Sequence, residues 1–211
     1  MIDNKTIASW ERFYRGNFIN SLSGFKPVSL IGTKNNHAES NLAIFSNIVH
    51  LGADPALVGF VNRPLEAGGH TLANIEATGF YTINHIHASF VEKAHQTSAK
   101  YAEGESEFLK IGLTEQRIEN FEAPFVAESK IKFGVSLQQI IPITLNNTFF
   151  VIGKIEMVFV DESLIQPDGF IDLVKAQSLS SSGIDAYHTV NYLDRFAYAK
   201  PNLPVTKINH K

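Results

Sequence analysis

The sequence predicts a mainly β protein with short helices, in which antiparallel strands form a barrel. Apolar residues alternate with polar or small ones over residues 131–137, and a similar alternation returns over residues 149–159. A period of two is typical of strands that bury one face. Asn146 and Asn147 lie between the two runs and favour a turn, so the pattern predicts a long antiparallel hairpin.

Four shorter runs rich in Val, Ile, Leu and Phe predict further strands, and short helical patterns lie between them. The predicted strands are residues 28–33, 43–51, 56–61 and 80–86. The second and third flank Gly-Ala-Asp-Pro, a turn sequence, and we interpret them as a hairpin. Helices are predicted at residues 5–14, 72–78, 89–101 and 171–177. For about six strands, a closed antiparallel barrel is the most economical arrangement.

Composition restricts the classes of function. The chain has 211 residues, 44% of them hydrophobic and 16 of them Phe, which is enough for a substantial core in one domain over residues 1–211. A net charge of -3 without a basic run argues against nucleic acid as a partner. The N-terminus lacks an apolar signal region and no apolar run spans a bilayer, so a cytoplasmic, membrane-free protein is expected. Because cysteine is absent, any redox chemistry must come from a cofactor.

The segment that follows the third of these strands predicts an anion site. Arg63 comes first, Gly68 and Gly69 follow, and Thr71 opens a helical pattern that stops at Gly79. We expect Thr71 to be the N-cap and Gly79 the C′ residue. A helix N-terminus offers unpaired N–H groups, and a nearby arginine adds permanent charge, so together they suit a phosphate. The alternative is that Thr71 only caps its helix and Arg63 is a solvated surface charge.

Other chemistries have weaker signals. His85 and His87 lie two apart on a predicted strand, with Glu92 and His95 nearby, which is compatible with a metal site. Alternatively, the first two are a strand end and a surface imidazole. The G-x-S-x-G, P-loop and G-x-G-x-x-G motifs do not occur, so a hydrolase elbow, a Walker ATPase and a Rossmann fold lack their signatures. The serine run at residues 180–183 is interpreted as a flexible loop.

Several short motifs follow one another in a fixed order. They are N-L-A-x-F-S at residues 41–46, D-P-x-L-V at 54–58, T-L-x-N-I-x-x-T-G at 71–79 and T-I-N at 82–84. In this order they resemble the flavin reductase-like proteins, whose fold is an antiparallel FMN-binding split β-barrel. Residues 94–101 and 185–201 also resemble the flavoredoxin-like branch of that family. Ile44 departs from the pattern, because many members carry proline there.

The resemblance implies a bound flavin, FMN or alternatively FAD, and NAD(P)H as the transient reductant that transfers hydride to flavin N5. The implied cofactor-binding residues are Asn41 with the backbone through Leu42 and Ala43 at the ring, Ser46 and Asn47 at ribityl or phosphate oxygens, Arg63 and Thr71 at the phosphate, and His95, Thr97 and Ser98 as second-rank candidates. No catalytic side chain and no metal is implied. A homodimer is implied as well, in which a C-terminal segment with Tyr187, Arg195 and Tyr198 covers the partner's site.

Three alternatives remain open at this level. The protein is an enzyme that oxidises NAD(P)H, or a flavin-binding electron carrier that receives electrons from a redox partner protein. It is otherwise a barrel that binds a different phosphorylated ligand, such as pyridoxal phosphate or a nucleotide, or that has no cofactor. For His95, the alternative to a role in cofactor binding is that it is a partly exposed helix residue without a ligand.

Overall fold

The structure is a computed structural model that describes residues 1–64, 69–102 and 104–208. The strands are β1 (Lys26–Pro27), β2 (Ser29–Lys34), β3 (Ser40–Phe45), β4 (Val49–Ala53), β5 (Ala56–Asn62), β6 (Phe80–His85), β7 (Glu115–Ile118), β8 (Phe121–Val126), β9 (Ile131–Ile143), β10 (Thr148–Val160), β11 (Ser180–Ser182) and β12 (Ala186–His188). The α-helices are α1 (Asn4–Ser9), α2 (Arg12–Leu22), α3 (Thr71–Thr78), α4 (Val91–Gln96) and α5 (Glu107–Ile111). Single 3₁₀ turns lie at Ala88–Phe90 and Glu162–Leu164.

Seven strands form one antiparallel sheet in the order β3-β2-β6-β9-β10-β5-β4. Its centre is the predicted hairpin, in which β9 and β10 have thirteen residues each and Asn147 takes a φ of 57° in the turn. The register has two irregularities, one at Ile152/Gly153 with the extra residue Gln138 on β9 and one at Ile155/Met157 with the extra residue Glu156 on β10, and bulges bend a strand. The long hairpin therefore curves the sheet.

The sheet does not close, so the expectation of a closed barrel is wrong. In the part of the chain that the structure describes, the edge strands β3 and β4 do not pair with each other. Helix α5 packs against β3, and Glu107 Oε2 accepts the backbone N–H of Leu42 at 2.9 Å. A side chain thus satisfies a backbone N–H group at the edge of the sheet, which would otherwise be free to pair with another strand. The result is a split barrel.

The hydrophobic core occupies both faces of β2. Leu30 packs in one cluster with Phe108 of α5, whereas Ile31 packs in a second cluster with Phe60 and with Ile75 of α3. These five side chains are at most 1% exposed. Because neighbouring residues of a strand point to opposite faces, one strand contributes to both clusters. This double burial fixes β2 and the adjacent β3, which carries much of the candidate site.

Two smaller sheets were not expected from the sequence. One has the order β1-β11-β12 and the other pairs β7 with β8. The serine run that we interpreted as a loop is β11, which pairs with β1 on one side and β12 on the other. Four of these five strands, β1, β7, β11 and β12, have only two to four residues and carry too little alternation to be detected locally.

The helix predicted at residues 5–14 is two helices, because the backbone is extended at Trp10. Glu11 then starts α2, since its Oε2 accepts from Phe13 N at 2.8 Å and from Tyr14 N at 3.3 Å. Within the described ranges, no helix combines the length and the apolar character that a membrane span requires.

Two other predicted elements also differ. Residues 171–177 form successive turns, in which Asp172 accepts from Lys175 N and Gln177 has a φ of 60°. The strand predicted at residues 43–51 is interrupted between β3 and β4. The helix predicted at residues 89–101 is a 3₁₀ turn followed by α4, which ends at Gln96.

Candidate functional site

A cavity of about 780 Å³ is lined by both the seven-stranded and the three-stranded sheet. Its wall is made of segments that are far apart in the sequence. They are Asn20, Ser23, Lys26 and Val28; Asn41 and residues 43–47; residues 61–64 and 69–71; His95 and residues 97–101; Glu107; and Ser181, Ile184 and Tyr187. A cavity of this size is typical of a site for a small molecule or cofactor.

Nine of the ten cofactor-binding residues expected from the sequence line this cavity. They are Asn41, Ala43, Ser46, Asn47, Arg63, Thr71, His95, Thr97 and Ser98. Leu42 is the exception, because its side chain is 0% exposed and packs in the core cluster with Phe108. Gly68, which we expected to contribute to the anion site, lies outside the described residues.

A buried polar network fixes the start of the site. Asn41 Nδ2 donates to Thr33 Oγ1 at 3.2 Å and to Thr71 Oγ1 at 3.3 Å. Asn74 Nδ2 donates to the same Thr33 oxygen at 3.2 Å. All four residues are buried, so unmet hydrogen bonds would cost about 1–3 kcal/mol each. The network joins β2, β3 and α3 into one unit.

Helix α3 begins one residue earlier than we expected. His70 is the N-cap and makes no side-chain capping bond, while Thr71 is the first helical residue. The Thr71 hydroxyl instead serves the network with Asn41, which explains why it does not cap the helix. Gly79 takes the predicted left-handed conformation, with φ of 77° and a backbone bond to Ile75 O.

The loop after β3 is attached to the end of β5. Asn47 Nδ2 donates to Val61 O at 2.8 Å, and Asn47 Oδ1 accepts from Val61 N at 3.3 Å. The Asn47 amide thus attaches this loop to the backbone of β5. Arg63 follows on an exposed position and forms no ion pair with any residue that the structure describes. Its charge is available to a ligand.

The segment after α4 forms a further part of the wall. Thr97 is buried, and its Oγ1 donates to Ala94 O at 2.8 Å, while Ser98 N donates to His95 O at 2.9 Å. His95 Nδ1 lies 2.7 Å from Tyr187 Oη. This bond connects α4 to β12 across the cavity wall, so the imidazole is held in place despite being exposed.

The charges of the cavity favour an anion. The lining residues include three cations, Lys26, Arg63 and Lys100, and one carboxyl group, Glu107. Burial raises the pKa of Glu107, and the hydrogen bond from Leu42 N opposes that effect. In a chain whose net charge is -3, this local excess of positive charge is a specific feature of the cavity.

Four polar residues of the lining, Lys26, Glu107, Ser181 and Tyr187, were not among the predicted cofactor-binding residues. Glu107 lies in a polar stretch without a motif, and Lys26 and Ser181 belong to strands too short to detect. Tyr187 was expected to cover the site of a partner chain, yet it lines the cavity of its own chain. Only the pairing of β1, β11 and β12 brings the last three together, so no local signal could have identified them.

The alternative metal site is not formed. His85 Nδ1 lies 3.0 Å from Ser178 Oγ, and His87 Nε2 lies 2.6 Å from Gln177 Oε1. Burial lowers the pKa of His85 to about 4. Among the described residues, no three His, Cys, Asp or Glu side chains are grouped so that they could hold a metal ion. Both imidazoles therefore have structural partners.

Comparison with known proteins agrees with this architecture. The family model for the flavin reductase like domain matches residues 25–174. A split barrel protein from Shewanella frigidimarina NCIMB 400, assigned as a flavin reductase, is 46% identical with a TM-score of 0.91, covering 94% of this chain and 99% of that chain.

Two more distant structures share the fold. Nitrilotriacetate monooxygenase component B from Bacillus cereus has a TM-score of 0.81 at 21% identity, covering 92% of this chain and 96% of that chain. Flavoredoxin of Desulfovibrio vulgaris (Miyazaki F) has a TM-score of 0.70 at 24% identity, covering 85% and 92%. The split barrel fold expected from the sequence is confirmed.

Proposed function

Because the chain belongs to the flavin reductase like domain family, we propose that its cavity binds FMN and that the protein reduces flavin with NAD(P)H. The observation that supports this most is the assembly of nine expected site residues around one cavity with an excess of cations. FMN joins a flat aromatic ring to a dianionic phosphate, so its site needs an apolar wall and positive charge together.

The donor set of the cavity fits such a ligand. Ala43, Ile44 and Phe45 supply an apolar stretch of wall, and Phe45 is held edge-on against Phe60 with ring centroids 5.0 Å apart. Burial of a flat ring against this wall is favourable by about 25 cal/mol per Å² of apolar surface. Arg63, with no ion pair to a described residue, supplies charge for the phosphate.

The protein's own residues would bind the flavin and orient it. Bound FMN would supply the hydride acceptor for reduced nicotinamide, which is chemistry that side chains lack. Asn41 and Ala43 would contact the ring, Thr71 and Ser46 would donate to phosphate or ribityl oxygens, and the network of Asn41 with Thr71 would keep them in place. We assign no acid, base or nucleophile, because positioning alone accelerates such a transfer strongly.

We propose a homodimer as the assembly, in a cytoplasmic setting. Exposed aromatic side chains on the N-terminal and C-terminal segments support it, such as Phe13 at 75% and Tyr198 at 93% exposed. Arg195, which we expected to reach a partner's site, binds Asp168 Oδ2 at 2.6 Å and stacks on Phe170 at 4.0 Å in its own chain. The proposed contact across the dimer therefore rests on Tyr198 and its exposed neighbours.

The test of the FMN site is the substitution Arg63→Ala. Loss of a charge-assisted phosphate contact should weaken FMN binding by about 1–3 kcal/mol, read from a fluorescence titration. Arg12→Ala is the matched control, since Arg12 is exposed and does not line the cavity. Equal dissociation constants for R63A and the unmodified protein would remove Arg63 from the site.

Turnover separates the enzyme from the electron carrier. Steady-state oxidation of NADH and of NADPH, each with added FMN, should proceed well above the background rate. Retention of FMN with negligible turnover of both nucleotides would assign the protein as a carrier that needs a redox partner protein. The two nucleotides measured side by side also determine which one is used.

A further inference from the structure

The three-stranded sheet presents one row of side chains to the cavity. Lys26 of β1 lies directly opposite Ser181 of β11, which lies directly opposite Tyr187 of β12. Residues in direct cross-strand register point to the same face of a sheet, and all three line the cavity. Ser181 and Tyr187 lie beyond residue 174, where the family match ends.

The row has unused hydrogen-bond donors. Lys26 Nζ donates to Asn20 O at 3.1 Å and to Gly183 O at 2.9 Å, so one of its three N–H groups is left for a ligand. Ser181 is only 3% exposed, and its Oγ has no hydrogen-bond partner. Buried hydroxyls without a partner are rare, and a staggered change of χ1 lets a serine reach a new acceptor.

The far end of the row is a hydrogen-bonded pair. Tyr187 Oη lies 2.7 Å from His95 Nδ1. Burial, together with the charge of Asp185, raises the pKa of Tyr187, so the phenol stays protonated. The direction of this bond follows the imidazole tautomer, and in either direction the phenol oxygen is held at the cavity wall.

We propose that the row of Lys26, Ser181 and Tyr187 is a subsite for the anionic oxygen group of a second small molecule, a carboxylate or a phosphate ester, that enters the cavity beside the flavin. The row offers donors and one cation, and Lys26 forms no ion pair with any carboxylate in the described ranges. The carboxyl group of Glu107, also in the lining, is bonded to Leu42 N. The proposal rests on the proposed function only for the identity of the neighbouring ligand.

The sequence provides a matched control for Ser181. Ser180 is its neighbour on β11 and also has an Oγ without a hydrogen-bond partner. Because adjacent strand residues point to opposite faces, Ser180 points away from the row, and it does not line the cavity. For the charge, Lys130 is an exposed lysine that donates to Gln177 Oε1 at 3.0 Å and does not line the cavity either.

The experiment is calorimetric titration of the FMN-loaded protein with inorganic phosphate and, separately, with acetate. We expect at least one of the two anions to bind, and Ser181→Ala and Lys26→Gln to weaken that binding by about five- to tenfold. Ser180→Ala and Lys130→Gln should bind both the anion and FMN as the unmodified protein does, and Ser181→Ala should keep the same FMN dissociation constant. The anion that binds identifies the ligand as a phosphate ester or a carboxylate.

Three results would overturn the proposal. They are binding of neither anion, unchanged anion binding in both S181A and K26Q, or a loss of FMN affinity in S181A that shows the row to hold the flavin itself. The same titrations on protein without FMN keep this test separate from the proposed function. A protein that binds no FMN refutes the proposed function, whereas the anion titration still decides the subsite.

Discussion

His85 should make the stability of this protein depend on pH. Its ring is enclosed at the end of β6, with Nδ1 3.0 Å from Ser178 Oγ and the ring centroid 6.4 Å from that of Phe133. Burial lowers its pKa from 6.5 to about 4. At pH values between the two pKa values, His85 is protonated in the unfolded chain and neutral in the folded protein. The stabilisation that comes from the buried neutral ring is therefore present above the unfolded pKa, and it is lost as the pH falls through the folded pKa.

The size of the effect follows from the two pKa values. The complete loss of this contribution to the free energy of unfolding is about 3 kcal/mol, and about 2 kcal/mol of it has been lost when the pH reaches about 5. The variant His85→Gln keeps a polar side chain but does not titrate, so its free energy of unfolding should fall by about 2 kcal/mol less than that of the unmodified protein between about pH 8 and pH 5.

Urea unfolding followed by circular dichroism at several pH values measures this difference. His37→Gln is the control, because it makes the same substitution at an exposed position. Carboxyl groups that titrate in the same range are common to all three proteins and cancel in the comparison. Identical pH dependence of H85Q and the unmodified protein would refute the assignment of His85 as the buried neutral group.

Three further predictions concern the free energy of unfolding, measured by urea titration. Phe60→Ala should cost about 3–5 kcal/mol because Phe60 is 0% exposed, whereas Leu145→Ala, at 96% exposed, should change it little; equal effects would contradict the assigned core. Gly79→Ala should lower the free energy of unfolding by about 1 kcal/mol because Gly79 has a φ of 77°, while Gly16→Ala inside α2 should raise it by about 0.5–1 kcal/mol. The reverse order would refute the backbone conformations assigned to these two glycines. Asn41→Ala should cost about 1–3 kcal/mol, since two buried hydroxyls lose a donor; no change would show that the network adds nothing.

Much of the fold follows from local patterns in the sequence. Strict alternation identified the long hairpin of β9 and β10, and turn residues identified the hairpin of β4 and β5. The helix before Gly79 was found because a glycine that ends a helix leaves a clear signature. These elements are determined by residues close to one another in the chain.

What the sequence did not reveal depends on distant pairings. Closure of the barrel depends on whether the edge strands β3 and β4 pair, and the contact found at the β3 edge, from Leu42 N to Glu107, joins residues 65 positions apart. The strands β1 and β11 each have at most three residues and gain stability only by pairing with each other. A local pattern contains no information on such partners.

The candidate site shows the same division. Motif resemblance indicated nine residues that do line the cavity, because those motifs lie on β3, on α3 and after α4. It placed the backbone of Leu42 at the flavin ring, and alternation turns the Leu42 side chain into the core. The third wall, made by Lys26, Ser181 and Tyr187, was missed since it exists only after the small sheet has formed.

The most direct test of the central claim, that the cavity is a flavin site, is a visible absorbance spectrum. The protein is purified without added cofactor, mixed with excess FMN, and freed of unbound flavin before the spectrum is recorded. We predict that the paired flavin bands remain with the protein and that R63A retains less. A colourless protein, equally unable to retain FMN with or without Arg63, would contradict the account.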